Sequence, residues 1–115
     1  MAIRRAAKVD RNQPEIVSFF RKAGCSVAVT SSAHDGFPDL VVGFGGLTVL
    51  VEVKDGELPQ SRQQLTPKQV DFFNEFKGAK TVVSTLQEAR RVVSVLKEAS
   101  GSIDIDWQKK FVKSC

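Results

Sequence analysis

Apolar positions near the start of the chain follow a helical period. Residues 10–23 carry apolar side chains at the three- and four-residue spacing of one helix face. Pro14 fits only the first turn of such a helix, Asn12 suits the N-cap position, and Glu15 completes a pattern resembling a capping box. Gly24 is a typical residue at a helix end. The apolar face comprises Ile16, Val17, Phe19, Phe20 and Ala23.

The next three apolar runs are rich in β-branched residues and predict strands. The first covers residues 27–31, the second 39–44 and the third 47–54. Only Gly45 and Gly46 separate the second run from the third, which is a strong signal of a β-hairpin with a two-residue turn. The second and third strands are therefore expected to be antiparallel neighbours.

A second helix is predicted after a long polar loop. Thr66 can cap this helix, Pro67 suits its first position, and Gln69 completes a capping box. A fourth strand over residues 80–84 and a third helix over residues 85–100 complete the pattern. The predicted order is α-β-β-β-α-β-α, in an α/β fold with a mixed sheet flanked by helices.

The composition is that of one globular domain. The chain has 115 residues, of which 42% are hydrophobic and 26% are charged. No apolar run reaches the length of a membrane span, and no secretory signal opens the sequence. Cys25 and Cys115 belong to no metal-ligand spacing and imply no disulfide framework, so a reducing cytoplasm is expected.

The net charge of +4 comes largely from basic residues near the two ends of the chain. Residues 1–9 are predicted to form a basic arm, residues 10–101 the folded domain and residues 102–115 a C-terminal tail. Terminal basic residues can contact phosphates or simply favour solubility. Trp107 and Phe111 make the tail too apolar for a purely disordered segment, so we expect it to pack on the core or on a partner subunit.

The third predicted strand ends in charged residues of opposite sign. Glu52 and Lys54 share one face of this strand, because side chains alternate. Counting outwards from the hairpin turn places Asp39 opposite Glu52. Adjacent carboxylates repel each other unless a cation lies between them, and Mg²⁺ and Mn²⁺ prefer such oxygen ligands. Lys54 could orient an attacking water or stabilise transition-state charge, so the set favours phosphodiester hydrolysis.

Each of these residues also has an ordinary structural explanation. Aspartate after proline is common in turns, which applies to Asp39. A Glu–Lys pair at a strand end is often a solvated ion pair, which applies to Glu52 and Lys54. The three residues together are less easily explained in this way than any one of them alone.

The segments around these residues resemble a known family. Residues 36–39 (GFPD) and 52–54 (EVK) resemble the PD-(D/E)xK nuclease motif. Taken together, four segments are similar to the VRR-NUC branch of that superfamily, in the small stand-alone form found in phage. These segments are residues 12–17 (NQPEIV), 36–43 (GFPDLVVG), 50–56 (LVEVKDG) and 65–69 (LTPKQ). The resemblance covers roughly residues 10–85 and implies a restriction-endonuclease-like core.

The resemblance also implies a role for several residues. Asp39 and Glu52 would bind Mg²⁺ or Mn²⁺, with the main-chain carbonyl of Val53 as a third ligand. Lys54 would be the catalytic lysine. Glu15 matches an additional acidic residue that reaches the metal through water, although the helix cap explains it equally well.

Further residues of the resemblance concern the second helix and the DNA. Gln69 matches a glutamine on the helix that follows the family's motif, and its capping box with Thr66 is nearly as good an explanation. Phosphate contacts that position DNA without reading its sequence are expected from basic side chains. The candidates are Arg4, Arg5, Arg11, Arg62 and Lys68.

The sequence as a whole favours a metal-dependent DNA endonuclease. The resemblance implies a structure-selective enzyme that acts on branched DNA such as Holliday junctions as a homodimer, in the bacterial host cytoplasm if the chain is phage-encoded. One alternative is a non-catalytic nucleic-acid-binding module with the same fold, although such a module gains nothing from carboxylates that face phosphates. Another is a small α/β interaction protein.

Overall fold

A computed structural model of the chain describes residues 9–101 and 106–111. Most of the predicted N-terminal arm, including Arg4 and Arg5, and most of the predicted tail lie outside the described residues. The regular elements are α1 (Gln13–Lys22), β1 (Ser26–Val29), β2 (Leu40–Phe44), β3 (Leu47–Val53), α2 (Pro67–Glu75), β4 (Lys80–Val83) and α3 (Leu86–Ser100), with short 3-10 helices at Gln60–Arg62 and Trp107–Lys110.

The element order departs from the predicted α-β-β-β-α-β-α because the two 3-10 helices are inserted. The first interrupts the segment that was predicted to be a plain loop, directly after Pro59, whose φ of −58° favours a turn. The second follows α3, where the Trp107 and Phe111 rings pack edge to face with their centroids 5.9 Å apart. The α/β class and the mixed sheet agree with the prediction.

The four strands form one sheet in the order β1-β2-β3-β4. The pairs β1–β2 and β2–β3 are antiparallel, whereas β3–β4 is parallel. Gly45 and Gly46 have φ angles of 57° and 84°, as a two-residue hairpin turn of type I′ requires. Leu40 pairs with Val51, so one further residue along each strand brings Asp39 opposite Glu52.

The hydrophobic core lies on one face of this sheet, under α1 and α3. Val49, Val51 and Val53 of β3 are fully buried there and belong to one cluster with side chains of both helices. Phe111 is part of the same cluster, and Trp107 packs against it. Helix α2 contacts the opposite face of β3. Within residues 9–101 and 106–111, no helix is long and apolar enough to cross a membrane.

The start of α1 is not capped as predicted. Asn12 occupies the N-cap position, but its backbone is helical, with φ −85° and ψ −4°, and its side chain makes no capping hydrogen bond. An N-cap side chain normally reaches the first turn from an extended backbone. The Asn12 amide instead donates to the carbonyl oxygens of Lys54 and Ser84, at 3.0 and 3.2 Å. The capping box of Thr66 and Gln69 on α2 is present as predicted.

Candidate active site

Glu52 and Lys54 are both buried at the end of β3. Their exposed fractions are 3% and 8%: β3 is flanked by strands on both sides, and Gln69 of α2 contacts both side chains on this face. The Lys54 Nζ lies 3.6 Å from the Glu52 Oε2. A solvated ion pair at a strand end does not describe this arrangement, since both side chains are largely withdrawn from water.

The Asp39 carboxylate is fixed beside the backbone of β3. Its Oδ2 accepts a hydrogen bond from the Val53 N–H at 2.9 Å. Its main-chain oxygen accepts one from the Thr30 N–H at 2.7 Å, which ties it to the end of β1. Asp39 therefore lies between two strands, and its carboxylate is next to the peptide of Val53, the residue for which the sequence suggested a ligand role.

The turn before Asp39 is held against the start of α2. Gly36 has a φ of 87°, and a Cβ at this position would lie 2.9 Å from the main-chain oxygen of Lys68. The Phe37 ring packs against Phe72 of α2, with centroids 5.3 Å apart. The GFPD segment thus needs a glycine for two separate reasons, and its packing on α2 helps to place Asp39.

Burial and a neighbouring charge make Glu52 the most perturbed acid of the site. Burial is the larger cause and the Asp39 carboxylate the second, and together they raise the pKa of Glu52 to about 8 despite the opposing effect of Lys54. As a carboxylate, Glu52 has a buried Oε1 without a hydrogen-bond donor, whereas in its protonated form it shares a hydrogen bond with Asp39, which also raises its pKa. A divalent cation between Asp39 and Glu52 would satisfy this oxygen and offset the repulsion, so the donor set fits Mg²⁺ or Mn²⁺.

Gln69 connects Glu52 with Lys54. Its Nε2 donates to the Glu52 Oε2 at 2.9 Å, and its Oε1 accepts from the Lys54 Nζ, also at 2.9 Å. The same Oε1 accepts from the Thr66 N–H at 2.9 Å, which closes the capping box of α2. The two explanations of Gln69 that the sequence left open are thus compatible, since one side chain makes both sets of bonds.

Glu15 is placed less favourably than the other candidates. It lies in the first turn of α1 and is exposed. The capping bond with Asn12 that would account for it is absent. The structure therefore brings Asp39, Glu52, Lys54 and Gln69 together and leaves Glu15 on the surface.

The candidate phosphate contacts differ in how their charge is balanced. Arg11 forms ion pairs with Asp55 at 2.6 Å and Glu57 at 2.7 Å. The hydrogen bond from Arg11 is the main cause that lowers the pKa of Asp55, and the two carboxylates raise the pKa of Arg11. Two acids thus balance the Arg11 charge, which makes it a weaker candidate than the sequence suggested.

Two other basic residues flank the start of α2. Arg62 is exposed in the first 3-10 helix. Lys68 is exposed in the first turn of α2 and lies 3.2 Å from Asp35, which is exposed as well. Arg62 and Lys68 remain accessible for a phosphate, whereas Arg4 and Arg5 lie outside the described residues.

Sequence reasoning missed the buried amides at the start of α1. Gln13 is 4% exposed, and its Nε2 donates to the Ser31 Oγ at 3.0 Å. A signal was present, because Gln13 falls on the same helical stripe as Ile16, Val17 and Phe20. A polar residue on an apolar stripe indicates a buried polar group, which usually has a specific partner.

Asp39 and Glu52 form a pair rather than a larger acidic cluster. Among residues 9–101 and 106–111, no group of three or more histidine, cysteine, aspartate and glutamate side chains is placed to hold a metal ion. Comparisons of the chain with models of protein families, with curated proteins and with solved structures gave no match.

Proposed function

We propose that this protein is a divalent-metal-dependent DNA endonuclease with Asp39, Glu52 and Lys54 at its active site. The observation that carries the proposal is the buried Glu52, which is 3% exposed, lies opposite Asp39 and has one oxygen without a partner. Uncompensated burial of a second acid beside a first is unfavourable for folding. A site that retains such a pair is well explained by a cation that binds there.

The neighbouring residues fit hydrolysis of a phosphodiester. Asp39 and Glu52 would hold the cation, which lowers the pKa of bound water and stabilises charge on phosphate. Lys54 lies 3.6 Å from Glu52 and donates a hydrogen bond to Gln69, which supports a role in which its ammonium group would neutralise developing charge beside the cation. Arg62 and Lys68 supply accessible positive charge for the DNA backbone.

Finer features of the proposal rest on the family resemblance. These are a restriction-endonuclease-like core of the VRR-NUC type, a branched DNA substrate such as a Holliday junction, and a homodimer. A symmetric dimer would match the two cleavage sites of a four-way junction. Light scattering at micromolar concentration tests the dimer, and a monomer there would contradict cleavage by a symmetric pair.

The test of the proposed function is cleavage of a labelled four-way junction and of a linear duplex, with and without Mn²⁺. We expect metal-dependent cleavage by the wild type. Asp39→Asn and Lys54→Ala should each reduce the rate by at least about 10³-fold, since each removes a group that acts on the transition state. Glu75→Gln is the matched control, because Glu75 is an exposed acid at the end of α2.

The outcomes separate the three interpretations of the sequence. Cleavage that survives both substitutions would place the chemistry elsewhere. Binding of junctions without cleavage, weakened by salt as phosphate contacts are, would favour the non-catalytic binding module. A wild-type protein that binds neither DNA nor Mn²⁺ would leave the interaction protein as the best interpretation.

A further inference from the structure

A cavity of about 530 Å³ opens next to the candidate active site. It is bounded by the loop that follows β3, by α2, by the end of β4 and by the start of α3. Asp39, Glu52, Lys54 and Gln69 do not line it, so it is separate from the site already described. Cavities of about 300–1,000 Å³ with apolar walls and a few polar groups typically hold small organic ligands.

The pairing of β3 with β4 places this cavity close to Glu52. Val82, in the cavity wall, pairs with Glu52 in the parallel register of the two strands. Paired residues on parallel strands point to the same face of the sheet, and the strands are about 4.8 Å apart. Val70, also in the wall, directly follows Gln69, which donates to Glu52. A ligand in the cavity would therefore lie beside Glu52, on the same face of the sheet.

The lining of the cavity combines apolar walls with amide groups at the opening. Leu65, Val70 and Val82 are half-buried, whereas Gln60 and Asn74 are exposed. Each side-chain amide offers both a donor and an acceptor. Such a lining suits a ligand with apolar faces and a polar edge that also carries donors and acceptors.

The charge of the lining excludes an anionic group from the interior. Of the described residues that line the cavity, none is basic and one, Glu88, is acidic. The Glu88 Oε1 accepts a hydrogen bond from the Ser84 N–H at 2.6 Å, so this carboxylate is held in the wall. A phosphate inside would meet a negative charge and no positive one. An uncharged, flat heterocycle such as a nucleobase fits the lining better.

Positive charge is present just outside the cavity. Arg62 is exposed in the first 3-10 helix, between Gln60 and Gln63, which both line the cavity. A guanidinium group binds phosphate through paired N–H donors. A nucleotide whose base enters the cavity would thus find a basic side chain for its phosphate on the adjoining surface.

We propose that this cavity receives an unpaired nucleobase of the DNA that the protein cleaves. The inference rests on the proposed function and adds a substrate class to it, namely DNA with an unpaired nucleotide near the scissile bond. Proteins that take up a base outside the helix pack its faces between side chains and bind its exposed edge, which a paired base does not offer. Asparagine and glutamine amides pair well with base edges. The inference concerns unpaired nucleotides as such, since a four-way junction can be fully base-paired.

The test is the Mn²⁺-dependent cleavage rate of three labelled duplexes by the full chain at low substrate concentration. One duplex is fully paired, one carries a single unpaired adenine, and one carries an unpaired abasic residue at the same position. The abasic duplex has the same bulge without the base. We expect kcat/KM to be about tenfold higher for the unpaired adenine than for the other two, the effect of one well-paired base edge.

A variant of the cavity opening tests where the base binds. Gln60→Leu combined with Asn74→Leu removes both rim amides and should reduce the preference for the unpaired adenine to less than about twofold, because its edge loses these partners. Cleavage of the fully paired duplex should not change. The matched control combines Gln87→Leu with Gln108→Leu, two exposed amides that do not line this cavity, and should keep the full preference.

Each other result counts against a specific statement. Equal rates on the adenine and abasic duplexes overturn the inference, and this comparison uses the wild type alone, so it holds even if a variant fails to fold. A preference that survives in the Gln60 and Asn74 variant, or that is lost in the control as well, also overturns it. If none of the three duplexes and no four-way junction is cleaved, the proposed function itself is refuted.

Discussion

From Val49 onwards β3 is buried on both faces, but the two faces differ in what they bury. Val49, Val51 and Val53 face α1 and α3 and are fully enclosed by apolar side chains. Glu52 and Lys54 face α2 and are nearly as inaccessible, with 3% and 8% exposed. The three valines and Glu52 lie on one strand of seven residues, and Lys54 directly follows it, so the strand itself does not determine the difference.

Burial has opposite effects on stability for the valines and for Glu52. Burial of a valine side chain contributes to stability in proportion to its apolar area. Burial of a carboxylate opposes stability unless a partner compensates for it. Glu52 has partial compensation from Lys54 and Gln69, and as a carboxylate its Oε1 has no hydrogen-bond donor among the described residues. Burial of Glu52 on the second face of β3 thus lowers the stability of the fold, whereas burial of the valines on the first face raises it.

The largest effect on stability is expected on the apolar face. Val51→Ala should lower the free energy of unfolding by about 2 kcal/mol, because the enclosed site leaves a cavity. Urea unfolding followed by circular dichroism measures this. Val29→Ala is the control, since Val29 on the edge strand β1 is 54% exposed, and should change stability by less than about 0.5 kcal/mol. Equal losses in the two variants would contradict the description of the core.

On the face of β3 that carries Glu52, the property expected to change is the affinity for Mn²⁺, and it should change with pH. Because the pKa of Glu52 is raised to about 8, this side chain carries a proton below that pH, and the proton competes with a cation. The affinity for Mn²⁺ should therefore rise by about tenfold per pH unit from pH 6 towards pH 8 and level off above it. Calorimetric titrations at several pH values measure this slope.

The control for the pH slope is Glu52→Gln, which cannot lose the proton. It should bind Mn²⁺ weakly at every pH, with little slope. If the Mn²⁺ affinity of the wild type instead rises around pH 4.5, the ordinary pKa of a glutamate, Glu52 is solvated. The comparison of two buried faces of β3 would then be wrong.

The smallest effect is expected for an ion pair outside the sheet. Lys68 and Asp35 lie 3.2 Å apart, but both are exposed. Lys68→Ala should change the free energy of unfolding by less than about 0.5 kcal/mol, and 1 M salt should abolish the difference. A double-mutant cycle with Asp35→Ala measures the coupling. A coupling above about 1 kcal/mol would mean that this exposed pair behaves like the buried one.

Local signals in the sequence predicted much of what positions the site. The turn at Gly45 and Gly46 fixed the register of β2 and β3, and with it the pairing of Asp39 and Glu52. Thr66 and Pro67 defined the start of α2 correctly. These features depend on residues that are neighbours along the chain or across a tight turn, which is why pattern and spacing were sufficient.

Contacts between distant segments were not predictable in the same way. Asn12 has the sequence context of an N-cap, but its partners are Lys54 and Ser84, 42 and 72 residues away. The burial of Glu52 and Lys54 likewise depends on α2 lying over β3. Spacing along one strand predicts which side chains share a face, and it does not predict what covers that face.

The double use of Gln69 links the candidate site to the end of a helix. Its oxygen holds both the Lys54 ammonium group and the Thr66 N–H, while its N–H₂ group holds Glu52. Fraying of the first turn of α2 would therefore break the Gln69 contacts of Glu52 and Lys54 together. If the proposed cation binds at Glu52, order at this helix end should increase with it, and slower amide hydrogen exchange in the first turn of α2 would report that binding.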